Sequence, residues 1–243
     1  LSTDKALELV AEQLNSGTEN GKKIALDALS NWKTNDAIAL LFKTVSENGN
    51  QSIKDRAFGK YLDKVLKSVN PDDQKLLLVT KLLPFSNSVD DKKQLIKSAS
   101  RIKTFLSLIF VSKFLDDSQL LTTASNAAIQ LALPTPGKEN GLSGDVVRDI
   151  VSRSVNNLTG PYSQYVKIDV KEFLEKMPKD KGFVSIFNGK DLSGWEGLVK
   201  NPIARGKMSE KELAKEQAKA NAQMLQDWYV KDGVIGFKGE GYN

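Results

Sequence analysis

The sequence contains neither cysteine nor histidine, and these two absences remove whole classes of chemistry. Without Cys there is no disulfide, no thiolate nucleophile and no zinc ribbon. Without His there is no imidazole base, no His-centred triad and no imidazole metal ligand. Any catalysis by these residues rests on Asp, Glu, Lys or Tyr, and neither a metal nor a cofactor is expected. Arginine is scarce as well: of 35 basic residues only Arg56, Arg101, Arg148, Arg153 and Arg205 are Arg. The lysines are interleaved with acids, so the formal charge of +5 reads as a solvated Lys-rich surface and not as a nucleic-acid patch. No apolar run is long enough to cross a bilayer, because the longest, residues 105–115, is broken by Ser107, Ser112 and Lys113. The chain begins at Leu1, with no basic segment leading into an apolar one, and reads as a mature or excised piece.

What is present is ordinary for a globular protein: 243 residues, 40% apolar and 27% charged, enough for one large or two modest domains. Residues 1–133 alternate short amphipathic helices with polar breaks. Leu7, Val10, Ala11 and Leu14 share one helical face, Ile24, Ala25, Leu29 and Trp32 the next, and Ala37, Leu40, Leu41 and Val45 a third. Ser52 with Asp55 has capping-box spacing and opens a fourth. Asn70 is placed to cap a helix over 71–83, with Pro71 in its first turn, Asp72 and Asp73 at the positive end of its dipole and Pro84 as its stop. Ser88 to Asp91 opens another helix, 105–115 is apolar almost all round, and Leu120, Ala124, Ala127, Ala128 and Leu131 form the last broad face.

A turn-rich stretch, 134–144, precedes a helix over 145–158, and 162–177 predicts one more with Val166, Val170, Phe173 and Leu174 inward. Paired short helices recurring at roughly 30 to 40 residues are the sign of an α-solenoid, and residues 1–177 resemble HEAT-like repeats. A compact helical bundle is the alternative. The doublets Asp72-Asp73, Asp90-Asp91 and Asp116-Asp117 are capping and dipole features, since adjacent side chains on a helix do not face one another. Phe105, Phe110 and Phe114 read as core, and the sequon at Asn157 as inert.

Residues 178–181 are a polar linker, and beyond them the pattern changes. Residues 183–187 are a strand-like run, followed by the turn pairs Asn188-Gly189 and Ser193-Gly194. Trp228 to Val230 leads through Asp232-Gly233, a pair suited to a tight hairpin, into Val234 to Phe237. Between them Ser209 and Glu212 form a capping box that opens a charged helix with a narrow Ala214, Ala218, Ala222, Leu225 stripe and Glu/Lys pairs at 212/215 and 216/219.

The ordered run FNGKDLSGWEG (187–197), then LVKNPIARGKMSEKELAKEQAKANAQM (198–224), then W-x-V-x-D-G-V-x-x-F-x-G-x-G-Y (228–242) resembles the N-terminal part of the 3-keto-disaccharide hydrolase family. The resemblance covers about the last quarter of the chain. It implies that 182–243 is the start of a concanavalin-like β-jelly-roll sandwich acting on 3-keto-glycosides, in an exported bacterial protein that is periplasmic or extracellular. Such a sandwich needs more strands than 182–243 can supply, so the acidic, Arg and His positions of the family's pocket are expected beyond Asn243, and the catalytic residues are unknown.

Within 182–243 three residues are candidate substrate contacts. Trp195 and Trp228 have rings on which a pyranose can stack, or which pack into the sandwich core; Arg205, in an expected loop over 201–205, can bind an anion or a sugar hydroxyl, or is a surface Arg. Two function classes follow. One is a glycoside hydrolase or lyase, with a carbohydrate ligand bound by the complete β-domain and this piece inactive alone. The other is a non-catalytic glycan-binding or protein-interaction module whose helical array holds a protein partner.

Overall fold

The computed structural model describes residues 4–179, 182 and 186–239. The chain divides into two compact units, Leu1–Val184 and Ser185–Asn243. The first holds α1 (Asp4–Ser16), α2 (Glu19–Ser30), α3 (Asp36–Glu47), α4 (Gln51–Lys67), α5 (Asp72–Thr80), α6 (Val89–Ala99), α7 (Phe105–Ser112), α8 (Leu121–Ala132), α9 (Asp145–Val155) and α10 (Ser163–Lys176). The strongest helix–helix contacts, among them α3 with α4, α2 with α4 and α8 with α9, join helices that are adjacent or next but one in sequence.

Side-chain caps set the starts of α2, α4, α6 and α7 in this unit. Thr18 accepts from Gly21 N at α2, Thr104 from Ser107 N at α7, and Ser88 and Asp91 form a reciprocal box at α6. Two expected caps are corrected. At α4 the cap is Asn50, which accepts from Ile53 N at 3.3 Å, while Asp55 accepts from the Gln51 amide. At α5 the N-cap position belongs to Pro71, with ψ 154, which leaves Asn70 one residue outside the first turn. The Asn70 amide oxygen instead accepts from Asn35 Nδ2 at 3.0 Å. Helix α5 also ends at Thr80, before the expected limit. A continuous helix would drive the Pro84 ring into the Thr80 carbonyl, so 83–85 forms a separate 3-10 turn.

One apolar core runs through the first unit, from Leu14 by way of Leu29, Leu41, Tyr61, Leu95 and Leu120 to Val170 and Met177. Three basic side chains close helix ends that would otherwise leave carbonyls unpaired. Lys64, itself buried, donates to the Trp32 carbonyl beyond α2. Lys103 donates to the Leu133 carbonyl beyond α8, and Arg148 to Leu174 O in the last turn of α10 at 2.9 Å. Burial pushes the pKa of Lys64 and of Lys103 down.

In the second unit α11 (Pro202–Arg205) and α12 (Glu210–Asp227) precede β1 (Trp228–Lys231) and β2 (Val234–Phe237). The strands pair antiparallel, Trp228 opposite Phe237 and Lys231 opposite Val234. Asp232 and Gly233 both have positive φ, 53° and 74°, which is the backbone twist that a two-residue turn between right-twisted strands needs. Of the strand-like run 183–187, residues 183–185 lie outside the described residues, while Ile186 and Phe187 are not in a strand. The expected loop over 201–205 contains a helical turn, capped by Asn201 accepting from Ala204 N.

Candidate functional site

The turn residues of the second unit resolve first into local hydrogen bonds. In 187–197 the Asn188 carbonyl oxygen Oδ1 accepts from Lys190 N and Asp191 N, while Asn188 Nδ2 donates to Asp191 Oδ1 at 2.7 Å. Ser193 N donates to the same carboxylate oxygen at 2.9 Å. These are the self-bonded turns that Asn and Asp favour. Hydrogen bonding from the Ser193 side chain, then from Asn188 and from the Ser193 backbone, pulls the Asp191 pKa from 3.8 to about 2. A carboxylate so well satisfied is a poor general base near neutrality.

Gly197 lies directly on α12: its N–H donates to Asn221 Oδ1 at 2.8 Å, and its carbonyl accepts from Gln217 Nε2 at 2.7 Å. A Cβ on Gly197 would collide with the Ala220 backbone carbonyl, so only glycine permits this approach. The inward face of α12 is therefore mixed, with Gln217 and Asn221 lying beside the half-buried Leu213, Ala220 and Met224. The expected alanine stripe is corrected: Ala214, Ala218 and Ala222 are exposed and Leu225 is 65% exposed. The reason is that the facing surface is bare backbone, whose N–H and C=O an amide side chain satisfies and an alanine cannot. Asn221 and Gln217 sit one helical turn apart, which is the signal that a search for apolar stripes passes over.

Trp195, Arg205 and Trp228 occupy three different settings. Trp228 is half-buried at the α12–β1 junction, its ring 5.0 Å from Phe237 across the hairpin. Trp195 is half-buried, and its Nε1–H is shielded from water with no acceptor among the described residues. Arg205 ends α11, half-buried, and meets no carboxylate among the described residues. An open pocket of about 420 Å3 in this unit is lined instead by Lys200, Lys207, Met208, Glu212, Lys215 and Glu216, with Ala204. Its carboxylates are already engaged. Glu212 accepts from the Ser209 hydroxyl at 2.7 Å and not from Lys215, and Glu216 accepts from Lys219 at 2.7 Å. Those hydrogen bonds, and more weakly the nearby Lys200 charge, lower both pKa values, while Lys200, Lys207 and Lys215 form no salt bridge among the described residues.

Among the described residues no three acidic side chains gather as a metal site would require, and no helix is long and apolar enough to cross a membrane. No family model, curated protein or solved structure matches the chain.

Proposed function

We propose that the chain joins a HEAT-like α-solenoid to the first part of a β-jelly-roll that processes 3-keto-glycosides, within an exported bacterial protein. The observation that carries the reading is the second unit's pattern together with its hairpin. The residues 187–242 keep the order of the 3-keto-disaccharide hydrolase family, and the hairpin leaves Tyr229, Val234 and Phe237 exposed, as strands that await further strands would. The local order of helix packing in the first unit supports the solenoid. The unsatisfied indole N–H of Trp195 supports a ligand oxygen nearby.

The chemistry follows from the ketone. A C3 carbonyl acidifies the proton on C2; a carboxylate removes it, the C1–O glycosidic bond breaks as the C1–C2 double bond forms, and the departing oxygen takes a proton. Asp191 does not fit as that carboxylate, being held at a pKa of about 2 by its turn, and Glu212 and Glu216 are engaged. In keeping with the family resemblance, the base is assigned outside the described residues, with Glu196 as the described carboxylate that the test must exclude. The test is cleavage of a 3-keto-disaccharide by this chain and by the same chain with its natural downstream sequence. Turnover by the longer protein alone is expected. Turnover by this chain that Asp191→Asn or Glu196→Gln abolishes would overturn the assignment, and none by the longer protein would favour the non-catalytic interaction or glycan-binding module.

A further inference from the structure

Helix α3 separates two surface grooves that meet at the exposed Ala39. One, about 490 Å3, lies against α1 and is lined by Leu7, Ala11 and Leu40 with Glu8, Asp36 and Lys43 at its edge. The other, about 360 Å3, lies against α5 and is lined by Ile38, Phe42 and Leu78 with Asn35, Asn70 and Lys81. From these we infer that α3 is the floor of a docking groove for an extended peptide, with apolar side chains entering the two grooves on either side of Ala39.

Three observations select that occupant. The first is hydrogen bonding. The Asn35–Asn70 bond uses one donor and one acceptor, which leaves Asn35 Oδ1 and Asn70 Nδ2 without a partner among the described residues. A free acceptor beside a free donor is the complement of a main-chain amide, with its own N–H and C=O. Asn35 holds the N-cap position of α3 without a side-chain cap bond, and Asn70 stands one residue before the N-cap of α5.

The second is charge. The Lys81 ammonium rests over the Phe42 ring at 5.2 Å and faces no carboxylate among the described residues. At the α1 end Glu8 and Asp36 outnumber Lys43, whose own contact with Glu47 is a loose 3.9 Å. The groove is thus negative at one end and positive at the other, and it fits a segment whose ends carry opposite charges. The third is shape. The walls are largely apolar, which suits side chains of alternate residues about 7 Å apart along a strand better than the many hydroxyls of a sugar. Between the grooves Ala39 is exposed and carries only a methyl group.

The test uses the whole chain and an array of blocked pentapeptides with Leu at the second and fourth positions and Lys or Glu at each end, read by fluorescence anisotropy. Peptides with opposite charges at their ends are expected to bind about tenfold better than those with like charges. In Lys81→Glu, where both ends of the groove are negative, the preference is expected to pass to the peptide with Lys at both ends. Ala39→Trp is expected to abolish binding of every member with the helical circular dichroism retained. The inference is overturned if no member binds, if end charge makes no difference, if the preference survives Lys81→Glu, or if Ala39→Trp binds normally. Displacement of the peptide by a disaccharide would overturn it in favour of a glycan. None of these readouts involves turnover, so they stand apart from the keto-glycoside reading.

Discussion

Leu29, Leu41 and Leu120 of the helical unit are wholly shielded from water, whereas Leu198, Ile203, Leu225 and Val234 of the second unit are each more than 60% exposed. The contrast goes further than a few side chains. The first unit has a continuous apolar core, while in the second Val199 is the apolar side chain that reaches full burial among the described residues. What holds the second unit is polar: the Asn188–Asp191–Ser193 turn, the Gly197–Gln217–Asn221 clasp and the capping box at Ser209. Each such bond contributes only about 0.5–1.5 kcal/mol against water. The difference teaches that regular secondary structure does not by itself bring a buried core, and that the first unit has both.

The largest test of this contrast is to open a cavity in the core. Leu41→Ala, at a site with 0% exposure, is expected to cost about 2–5 kcal/mol and to lower the main cooperative melting transition. If the second unit shares that core, its amides will lose protection at the same denaturant concentration; the contrast predicts that they exchange earlier and are unaffected by the substitution.

Gly197→Ala asks the converse question. The new methyl meets the Ala220 carbonyl, and pushing the segment off α12 is expected to cost on the order of 1–3 kcal/mol, breaking the bonds to Gln217 and Asn221. Hydrogen exchange across 197–237 should accelerate while the melting of the helical unit stays the same. A shared fall in melting temperature would show that the two units are energetically coupled.

Much of the helical unit was legible because apolar spacing is a direct record of burial. The stripe Ala37, Leu41, Val45 became the inner face of α3, and Ser88 with Asp91 became the box that starts α6. The Asp232-Gly233 hairpin was equally readable, since few residue pairs accept two positive φ values. What sequence could not carry was choice among polar partners. Asn70 and Ser52 have the spacing of caps, yet Pro71 and Asn50 hold those positions, and nothing in the sequence marks Lys64 as the lysine whose ammonium reaches the Trp32 carbonyl. The same limit applies to the second unit: in sequence Asp191 is one acid among several, and its role as turn acceptor depends on Asn188 and Ser193 folding around it.

Tyr61 gives a smaller effect that is specific to the helical unit. Its hydroxyl donates to Leu78 O at 2.9 Å, and burial pushes its pKa up from 10.0. Tyr61→Phe is expected to cost about 1 kcal/mol near neutrality. The raised pKa means that the neutral form is favoured in the folded state, so this contribution is complete below pH 10.0 and is lost as pH rises beyond it, where the unfolded chain ionises first. Buried Lys64 and half-buried Lys103, with lowered pKa values, act in the opposite sense just below 10.5, but they are common to both proteins. The difference in stability between the parent and Tyr61→Phe should therefore shrink above pH 10, and a constant difference would contradict the buried setting.

The smallest effect belongs to the second unit and has the opposite pH sign. Asp191 is exposed, yet its carboxylate accepts from Asn188 and Ser193, and its pKa falls from 3.8 to about 2. A depressed folded pKa means that the turn is supported above pH 3.8 and that this support is lost as pH falls toward 2, when the unfolded chain takes up its proton first. Carbon-detected NMR of the Asp191 side chain should show a midpoint near 2, and Asn188→Ala should return it toward 3.8. In the parent the amides of Lys190 and Ser193 should shift with the same midpoint, because they donate into the same turn, while the amides around Tyr61 should not respond. A midpoint at 3.8 in the parent would mean that the turn is not formed in solution. That outcome would reopen Asp191 as a carboxylate free for chemistry, and it would leave the second unit with one less of the polar bonds that stand in for its core.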